Sequence, residues 1–496
     1  MSATSNWLAM HARFRPTAEA LVDVGGMRWT YTQAHERALR WAGRLAQEGV
    51  RPGDRVALLA HNTIETFALL FACAELGATL VPLNWRLTPV ELSDQLARTR
   101  PRAVLGDEAF LPTLQSLRTT LPDLPVPIAL VDGPDADPQE GPGSPLDGPW
   151  VILFTSGSTG RPKGALLTHA QLHWNAVNTT LACDLAPSDS TLTFTPLFHT
   201  GGLNCLSTPL LHRGGRVVVT RGFEAGEALR VIEAEQIALL MGVPTIFQMM
   251  AEHPGFEAAN IESVRDALCG GAPLAVPLLR RYLARNIPLR QGFGLTEVGP
   301  NCFSMPAQDA ERKAGSVGLP IHHVGARLVR PDGSACADDE PGELILGGPA
   351  VCGGYFEDDA ATAKSCVDGW FHTGDVLSRD AEGFFWVCGR IKEMYISGGE
   401  NVYPAEVEAS LLRCSGVREA AVIGVPDERW GEVGAAFVVL EEAARTTEGG
   451  ADASVIVAEL RAYLARFKLP KTVTVCESLP RTASGKIDKP KLRGTA

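Results

Sequence analysis

Short apolar runs alternate along this chain with stretches whose apolar residues recur every three or four positions. Arg55–Ala60 (RVALLA) reads as a buried strand, and Thr63–Leu76 as a helix stopped at Gly77. Ala78–Pro82, Ala103–Gly106 and Trp150–Phe154 repeat the strand pattern, and Arg216–Thr220 precedes a helix over Glu224–Glu235. This alternation predicts α/β layers with parallel sheets. The segments Asp132–Pro149 and Glu441–Ser454 read as exposed connectors. Near residue 390 the units shorten. Gly383–Val387 reads as a strand, a helix starts at Pro404, strands follow at Ala420–Val425 and Ala435–Leu440, and a helix at about Val455–Arg466. The pattern therefore predicts a large N-terminal α/β domain over residues 1–390 and a small α+β domain over 391–496, with the boundary at Arg390–Lys392.

Composition narrows the class. At 496 residues the chain can hold more than one core, and 45% hydrophobic with 21% charged residues is ordinary for a globular enzyme. A net charge of -12 argues against general nucleic-acid binding. Locally, Arg466–Arg493 carries eight Lys/Arg against Glu477 and Asp488, ground that can meet an anion. The eleven cysteines are scattered without a C-x-x-C pair, which points to reduced thiols in a cytoplasmic chain and away from a zinc site. There is no basic, apolar leader and no run of the ~18 apolar residues that a membrane span needs. A homodimer is compatible with all of this.

The most informative stretch is Thr155–His169 (TSGSTGRPKGALLTH), between the apolar run Trp150–Phe154 and the helix start QLHWNAV. Glycines let several backbone N–H groups point into one concavity, hydroxyls add donors, and Lys163 adds charge, a combination suited to polyphosphate. It is not a Walker loop: Lys163 is followed by Gly164, with no Ser or Thr placed to hold magnesium, and there is no G-x-G-x-x-G. Further on, Gly292–Pro300 (GFGLTEVGP) puts Thr296 and Glu297 beside a glycine-rich turn. Mg²⁺ prefers one or two carboxylates plus phosphate oxygens, which makes Glu297 the candidate metal ligand, and Phe293 can lie against a purine.

Thr155–Lys163 closely resembles the phosphate-binding signature of the AMP-forming adenylate enzymes: acyl-CoA synthetases, amino-acid adenylation domains and beetle luciferases. Gly292–Glu297 is similar to the family's Y-G-x-T-E motif with Phe293 in place of tyrosine, so stacking survives and a phenolic hydrogen bond does not. Gly270-Gly271-Ala272-Pro273 resembles its adenine-side loop. In WFHTGDVL, Asp375 matches the ribose-binding acid, and Arg390 of GRIK its second ribose and phosphate contact. His199 of PLFHTGGL matches the position between nucleotide and acyl pocket, and Pro480–Lys486 matches P-x-T-x-x-G-K. ISGGEN and PDERWGE resemble the coenzyme A side.

The resemblance implies an ATP- and Mg²⁺-dependent acid–CoA ligase. Its nucleotide would be held by Thr155, Ser156, Gly157, Ser158, Thr159, Gly160, Lys163, Gly271, Ala272, Pro273, Gly292, Phe293, Gly294, Thr296, Asp375 and Arg390. Catalysis would fall to Lys486, Thr296, Glu297 and His199. Ser397, Gly398, Gly399 and Trp430 would meet CoA. His199, Gly202, Asn204, Met241 and Gly294 would line the acyl pocket, and the small domain would be mobile about a hinge at Lys392. Amino-acid-activating relatives carry an acid near His199; this chain has Phe198-His199-Thr200. The expected substrate is a hydrophobic monocarboxylic acid, a medium or long fatty acid before an aryl or phenylpropenoic acid. No carrier domain follows Ala496, so CoA is expected as acceptor before a carrier protein. A nucleotide sensor would require loss of Lys163, Glu297, Asp375 or Lys486, and all four are present.

Overall fold

The computed structural model describes residues 6–130, 134–155, 162–397, 400–441, 453–461, 463–482 and 486–494. Four sheets organise the chain. In the six-stranded sheet the order is Ile128–Ala129, Ala103–Gly106, Arg55–Leu59, Thr79–Pro82, Pro149–Thr155, Lys163–Thr168, all parallel except the last pair. The nine-stranded sheet runs parallel through Leu289–Leu295, Asp266–Cys269, Leu239–Gly242, Ser190–Thr193, Arg216–Val219 and Glu19–Asp23, with antiparallel strands at its edges.

One shared core joins these two sheets. At its centre lies the helix Glu65–Leu76, with every residue but Glu75 buried. A helix that is apolar on all sides is stable only when covered on all sides, and its αL cap at Gly77 (φ 69°) ends it where the sequence predicts. Its one buried charge, Glu65, is matched by Arg37 and accepts from Trp41 Nε1 at 2.6 Å. That satisfies the carboxylate where an unpaired charge would cost several kcal/mol.

Two features depart from the expectation of parallel sheets throughout. Lys163–Thr168 forms a strand, pairing antiparallel with Pro149–Thr155 so that Thr155 faces Lys163. The stretch thus ends in a strand rather than in a loop leading to a helix, and the following helix begins at His169, just before the expected start at Gln171, capped by Thr168. In KGALLT, Gly164, Ala165 and Leu167 are buried, and the flanking residues Lys163 and Thr168 are half-buried. The third sheet, built from Gly325–Val329, Gly342–Gly347, Cys366–Val367, Trp370–Arg379 and Phe385–Arg390, is entirely antiparallel.

Beyond Arg390 a fourth sheet of five strands carries core residues on both faces, one against the helices Pro404–Leu411 and Ala453–Leu460 and one against the C-terminal helix Lys489–Arg493. This gives a large N-terminal and a small C-terminal domain. The connector Glu441–Ser454 lies largely outside the described residues, and the helix expected to reach Arg466 ends at Leu460. Among the described residues no helix is long and apolar enough to cross a membrane, and all eleven cysteines are free.

Candidate active site

The chain order of the nine-stranded sheet builds the site. Ser190–Thr193 is followed by Arg216–Val219 on one side, and then the chain crosses back to place Leu239–Gly242 on the other. Such a reversal opens a crevice beyond the carboxyl ends of the strands, where ligands of open α/β sheets bind. The loops leaving these carboxyl ends carry His199, Gly270–Pro273 and Thr296–Glu297, while Met241 and Gly292–Leu295 sit in the last residues of their strands. Four separated motifs thus become neighbours on one rim.

On the acid side, the helical turn Thr200–Gly202 starts at His199 and runs into a π-helical turn, Leu203–Ser207, a distortion frequent at functional sites. Gly202 is required there: a Cβ would stand 2.3 Å from the Pro196 carbonyl oxygen. Gly201 faces Met241, whose Cε would lie 3.0 Å from an added Cβ. Asn204 is buried; its amide donates to Thr200 Oγ1 at 3.3 Å and its carbonyl oxygen accepts from Thr208 Oγ1 at 3.0 Å. Gly294 has a packing reason of its own, since a Cβ would reach 2.1 Å from the Pro300 carbonyl oxygen. His199 Nε2 is buried without a partner among the described residues. Burial first, then the charges of Lys486 and Arg86, push its pKa down to about 4, so the imidazole is neutral at physiological pH.

On the nucleotide side, the Thr155–Lys163 hairpin meets the turn that carries Glu297. Thr155 Oγ1 donates to Glu297 Oε1 at 3.4 Å, Tyr355 Oη donates to the same oxygen at 3.0 Å, and Gln171 Nε2 donates to the Thr296 carbonyl at 3.1 Å. Lys163 Nζ stands 4.6 Å from the centre of the Tyr355 ring. Ser156, Gly157, Ser158, Thr159 and Gly160 lie outside the described residues. Phe293, half-buried, meets Phe303 edge-on with centroids 5.8 Å apart. The Gly270–Pro273 loop is stapled by Gln291, which accepts from Leu274 N–H at 3.0 Å and donates to the Ala272 carbonyl at 3.4 Å.

Asp375 is only 3% exposed. Arg390 Nε bonds its Oδ1 at 2.7 Å, and its Oδ2 is buried without a partner among the described residues. Burial raises its pKa, opposed by Arg390 and Lys486. An orphaned buried acceptor is rare in a folded protein, and a ligand hydroxyl would satisfy it.

Lys486 comes from the small domain, at the base of a hairpin in which Thr482 N–H bonds the Lys486 carbonyl at 2.8 Å. It remains accessible to solvent, yet it stands in the interdomain cleft. Crowding there, together with Arg390, holds its pKa below the ordinary lysine value, while Asp375, Glu297 and Glu393 pull the other way. Its charge reaches His199, Asp375 and Glu297 at once. Ser397 is buried opposite Gly431. Trp430 is 48% exposed, with the Arg429 guanidinium 5.0 Å from its ring. Gly398 and Gly399 lie outside the described residues. Next to Lys392, Glu393 is bound by Lys489 at 2.8 Å, and Lys489 also holds Glu408 at 2.9 Å.

Two residues went unread in the sequence. Tyr355 follows two glycines in a stretch with no periodicity of its own. Arg86 lies in a turn between a strand and a helix. Only the fold brings either to the site.

Comparison with known proteins shows the family and the fold. Residues 8–356 match the family described as AMP-binding enzyme, and residues 406–486 match the AMP-binding enzyme C-terminal domain. A feruloyl-CoA synthase of Amycolatopsis is 42% identical over 98% of both chains. A long-chain-fatty-acid–CoA ligase of Mycobacterium tuberculosis is 34% identical over 98% of this chain and 97% of that one. The solved structure of o-succinylbenzoate CoA synthetase from Bacillus subtilis, in complex with its acyl-adenylate, superposes with a TM-score of 0.88 at 31% identity, covering 98% of both chains. The chain belongs to the AMP-binding enzyme family. Within it, this is an AMP-forming acid–CoA ligase that uses ATP, Mg²⁺ and CoA.

Proposed function

We propose that this ligase activates a hydrophobic monocarboxylic acid, with an aryl or phenylpropenoic acid preferred, and that Lys486 and the Thr155–Lys163 hairpin carry the adenylation step. The observation that carries the reading is the buried Asp375 carboxylate, bonded at one oxygen by Arg390 and left at the other without a partner among the described residues, in the electrostatic field of Lys486 from the small domain. Two anions must approach each other, and a mobile ammonium between acid and α-phosphate neutralises charge as the bond forms. Asp375 Oδ2 accepts a ribose hydroxyl. Arg390, already bonded to Asp375, orients that carboxylate and offers its remaining donors to ribose or phosphate.

Lys163 and the neighbouring hydroxyls hold the departing pyrophosphate. Glu297 is the carboxylate for Mg²⁺. The donor set fits a metal that keeps water and phosphate oxygens as its other ligands: one buried carboxylate, with no cluster of three His, Cys, Asp or Glu among the described residues. When bound, the metal neutralises phosphate charge. His199, neutral and with no partner for Nε2 among the described residues, stands at the carboxylate end of the acid site.

In the second half-reaction the CoA thiol attacks the acyl carbonyl and AMP leaves. We assign CoA to Ser397, Gly398, Gly399 and Trp430, the domain boundary to residues 390–391 and the hinge to Lys392. The Glu393–Lys489 pair fastens the residue after the hinge to the small domain, which confines rotation to the residues before it.

The observation that favours an aryl acid is the 42% identity to a feruloyl-CoA synthase. A fatty acid is the second reading, favoured by the long-chain relative at 34% identity. Pyrophosphate release measured with ferulate, benzoate, octanoate and palmitate, with and without CoA, tests both. The expected order of kcat/KM puts ferulate highest, with acyl-CoA as product. A maximum at palmitate would overturn the aryl reading, and pyrophosphate release without acyl-CoA would point to a carrier protein as acceptor.

A further inference from the structure

Tyr355 is buried, 8% exposed, where the two nucleotide-binding segments meet. Its segment lies along the strand that carries Lys163: Ala165 and Tyr355 are bridged, Leu166 N–H bonds the Gly354 carbonyl at 2.9 Å, and Phe356 N–H bonds the Gly164 carbonyl at 2.7 Å. On the other side, Tyr355 N–H donates to Thr362 Oγ1 at 2.9 Å. The backbone is thus fixed from both flanks. Gly354, at φ 101° and with no room for a Cβ beside Thr362, sets the bend that turns the ring inward.

From this position one side chain does two things. Its hydroxyl bonds Glu297 Oε1 at 3.0 Å, fixing which way the carboxylate faces. The face of its ring takes the Lys163 ammonium, 4.6 Å from the centroid, within cation–π range. Carboxylate and ammonium are each held by the tyrosine rather than by one another, which leaves both charges available to a ligand.

Building on the roles given above to Glu297 and Lys163, we propose that Tyr355 is a positioning residue for adenylation. It holds the metal-binding carboxylate and the phosphate-binding cation in a fixed relation to each other, one at its hydroxyl and one at its ring face. A partner behind a metal-ligating group commonly governs 10–100-fold in metal affinity. Tyr355 differs from such a partner only in holding a second, oppositely charged group as well.

The test compares Tyr355→Phe and Tyr355→Leu with the unsubstituted enzyme. The readouts are the Mg²⁺ concentration for half-maximal pyrophosphate release, the calorimetric Kd of a non-hydrolysable ATP analogue with and without Mg²⁺, and the rate of thioester formation from supplied acyl-AMP. Tyr355→Phe keeps the ring and loses the hydroxyl. It should raise the half-saturating Mg²⁺ and the Kd with Mg²⁺ about tenfold, leaving the metal-free Kd and thioester formation within about twofold. Tyr355→Leu should weaken metal-free analogue binding as well. In a Glu297→Gln background, Tyr355→Phe should add no further Mg²⁺ effect. Unchanged Mg²⁺ half-saturation in Tyr355→Phe would overturn the proposal, as would equal loss of both half-reactions with a lowered Tm. If Tyr355→Leu fails to fold, Tyr355→Phe decides alone. Pyrophosphate release by the unsubstituted enzyme that is indifferent to Mg²⁺ would instead defeat the reading of Glu297 itself.

Discussion

Asp375 and Arg390 face each other across neighbouring antiparallel strands, and Arg390 Nε occupies only one of the two carboxylate oxygens, at 2.7 Å. The other oxygen is buried with no protein partner among the described residues. The pair is therefore unfinished without a ligand, and burial raises the Asp375 pKa despite the guanidinium. A raised carboxylate pKa means that the folded state binds the proton more readily than the unfolded chain. This group therefore costs stability as pH rises from the normal carboxylate range to its folded pKa, a cost that is constant above it. Asp375→Asn should raise the KM for ATP by one to two orders of magnitude, on the order of 1.5–3 kcal/mol for a lost charged hydrogen bond. Its Tm at pH 7.5 should not fall. Initial-rate kinetics beside differential scanning fluorimetry check this, and a fall of several degrees would make Asp375 a structural residue.

Lys486 should separate the half-reactions. Lys486→Ala is expected to slow adenylation by about 10²–10³-fold, the scale of one preorganised electrostatic group. Thioester formation from supplied acyl-AMP should stay within about threefold. Equal loss of both would withdraw the assignment.

Gly201 and Gly202 should respond differently to the same added methyl group. Gly202→Ala forces a Cβ to 2.3 Å from a backbone carbonyl that cannot move aside, and should cost about 2–3 kcal/mol, read as a lowered denaturation midpoint. Gly201→Ala meets only the end of Met241 and should leave stability within about 1 kcal/mol. Because it narrows the acid side, its KM should rise more for ferulate than for benzoate. Equal effects on the two acids would place Gly201 outside the pocket.

Acid should unfold the protein through buried histidines. His169 is 1% exposed, stacked on Trp150 at 4.4 Å, and burial pushes its pKa down to about 4. His212 is also pushed down to about 4. In each case the unfolded chain takes up a proton that the folded chain refuses. Stability is therefore complete above about pH 6.5 and is lost as pH falls towards 4, by on the order of 3 kcal/mol for His169 once protonated. Urea midpoints measured between pH 7.5 and 4.5 should fall over that window, and His169→Phe should flatten the slope. A slope unchanged by His169→Phe would assign acid sensitivity to other groups.

Much of the fold was legible from local pattern. Arg55–Leu59 and Glu65–Leu76 are found within two residues of their expected bounds because burial on every side leaves an unbroken apolar run. The strand Lys163–Thr168 was hidden because its residues read as the tail of the polyphosphate stretch, and only pairing with Pro149–Thr155 makes them a strand. At the site, Glu297 was readable from its own turn, and Asp375 and Lys486 through resemblance. Tyr355 was not, because its meaning lies in Glu297 and Lys163, both far from it in sequence, and only the bridge to Ala165 and the bond to Glu297 bring the three together.

The crossing of the chain around Ser190–Thr193 divides the rim unequally between two tasks. In the assignment proposed above, the loops after Thr193 and Gly242 serve the acid, whereas those after Cys269 and Leu295, with Thr155 and Lys163, serve the nucleotide. Substitutions that reshape one half leave the strands of the other in register. A scaffold divided in this way can drift from one carboxylic acid to another by changing two loops, while the apparatus for spending ATP is inherited intact.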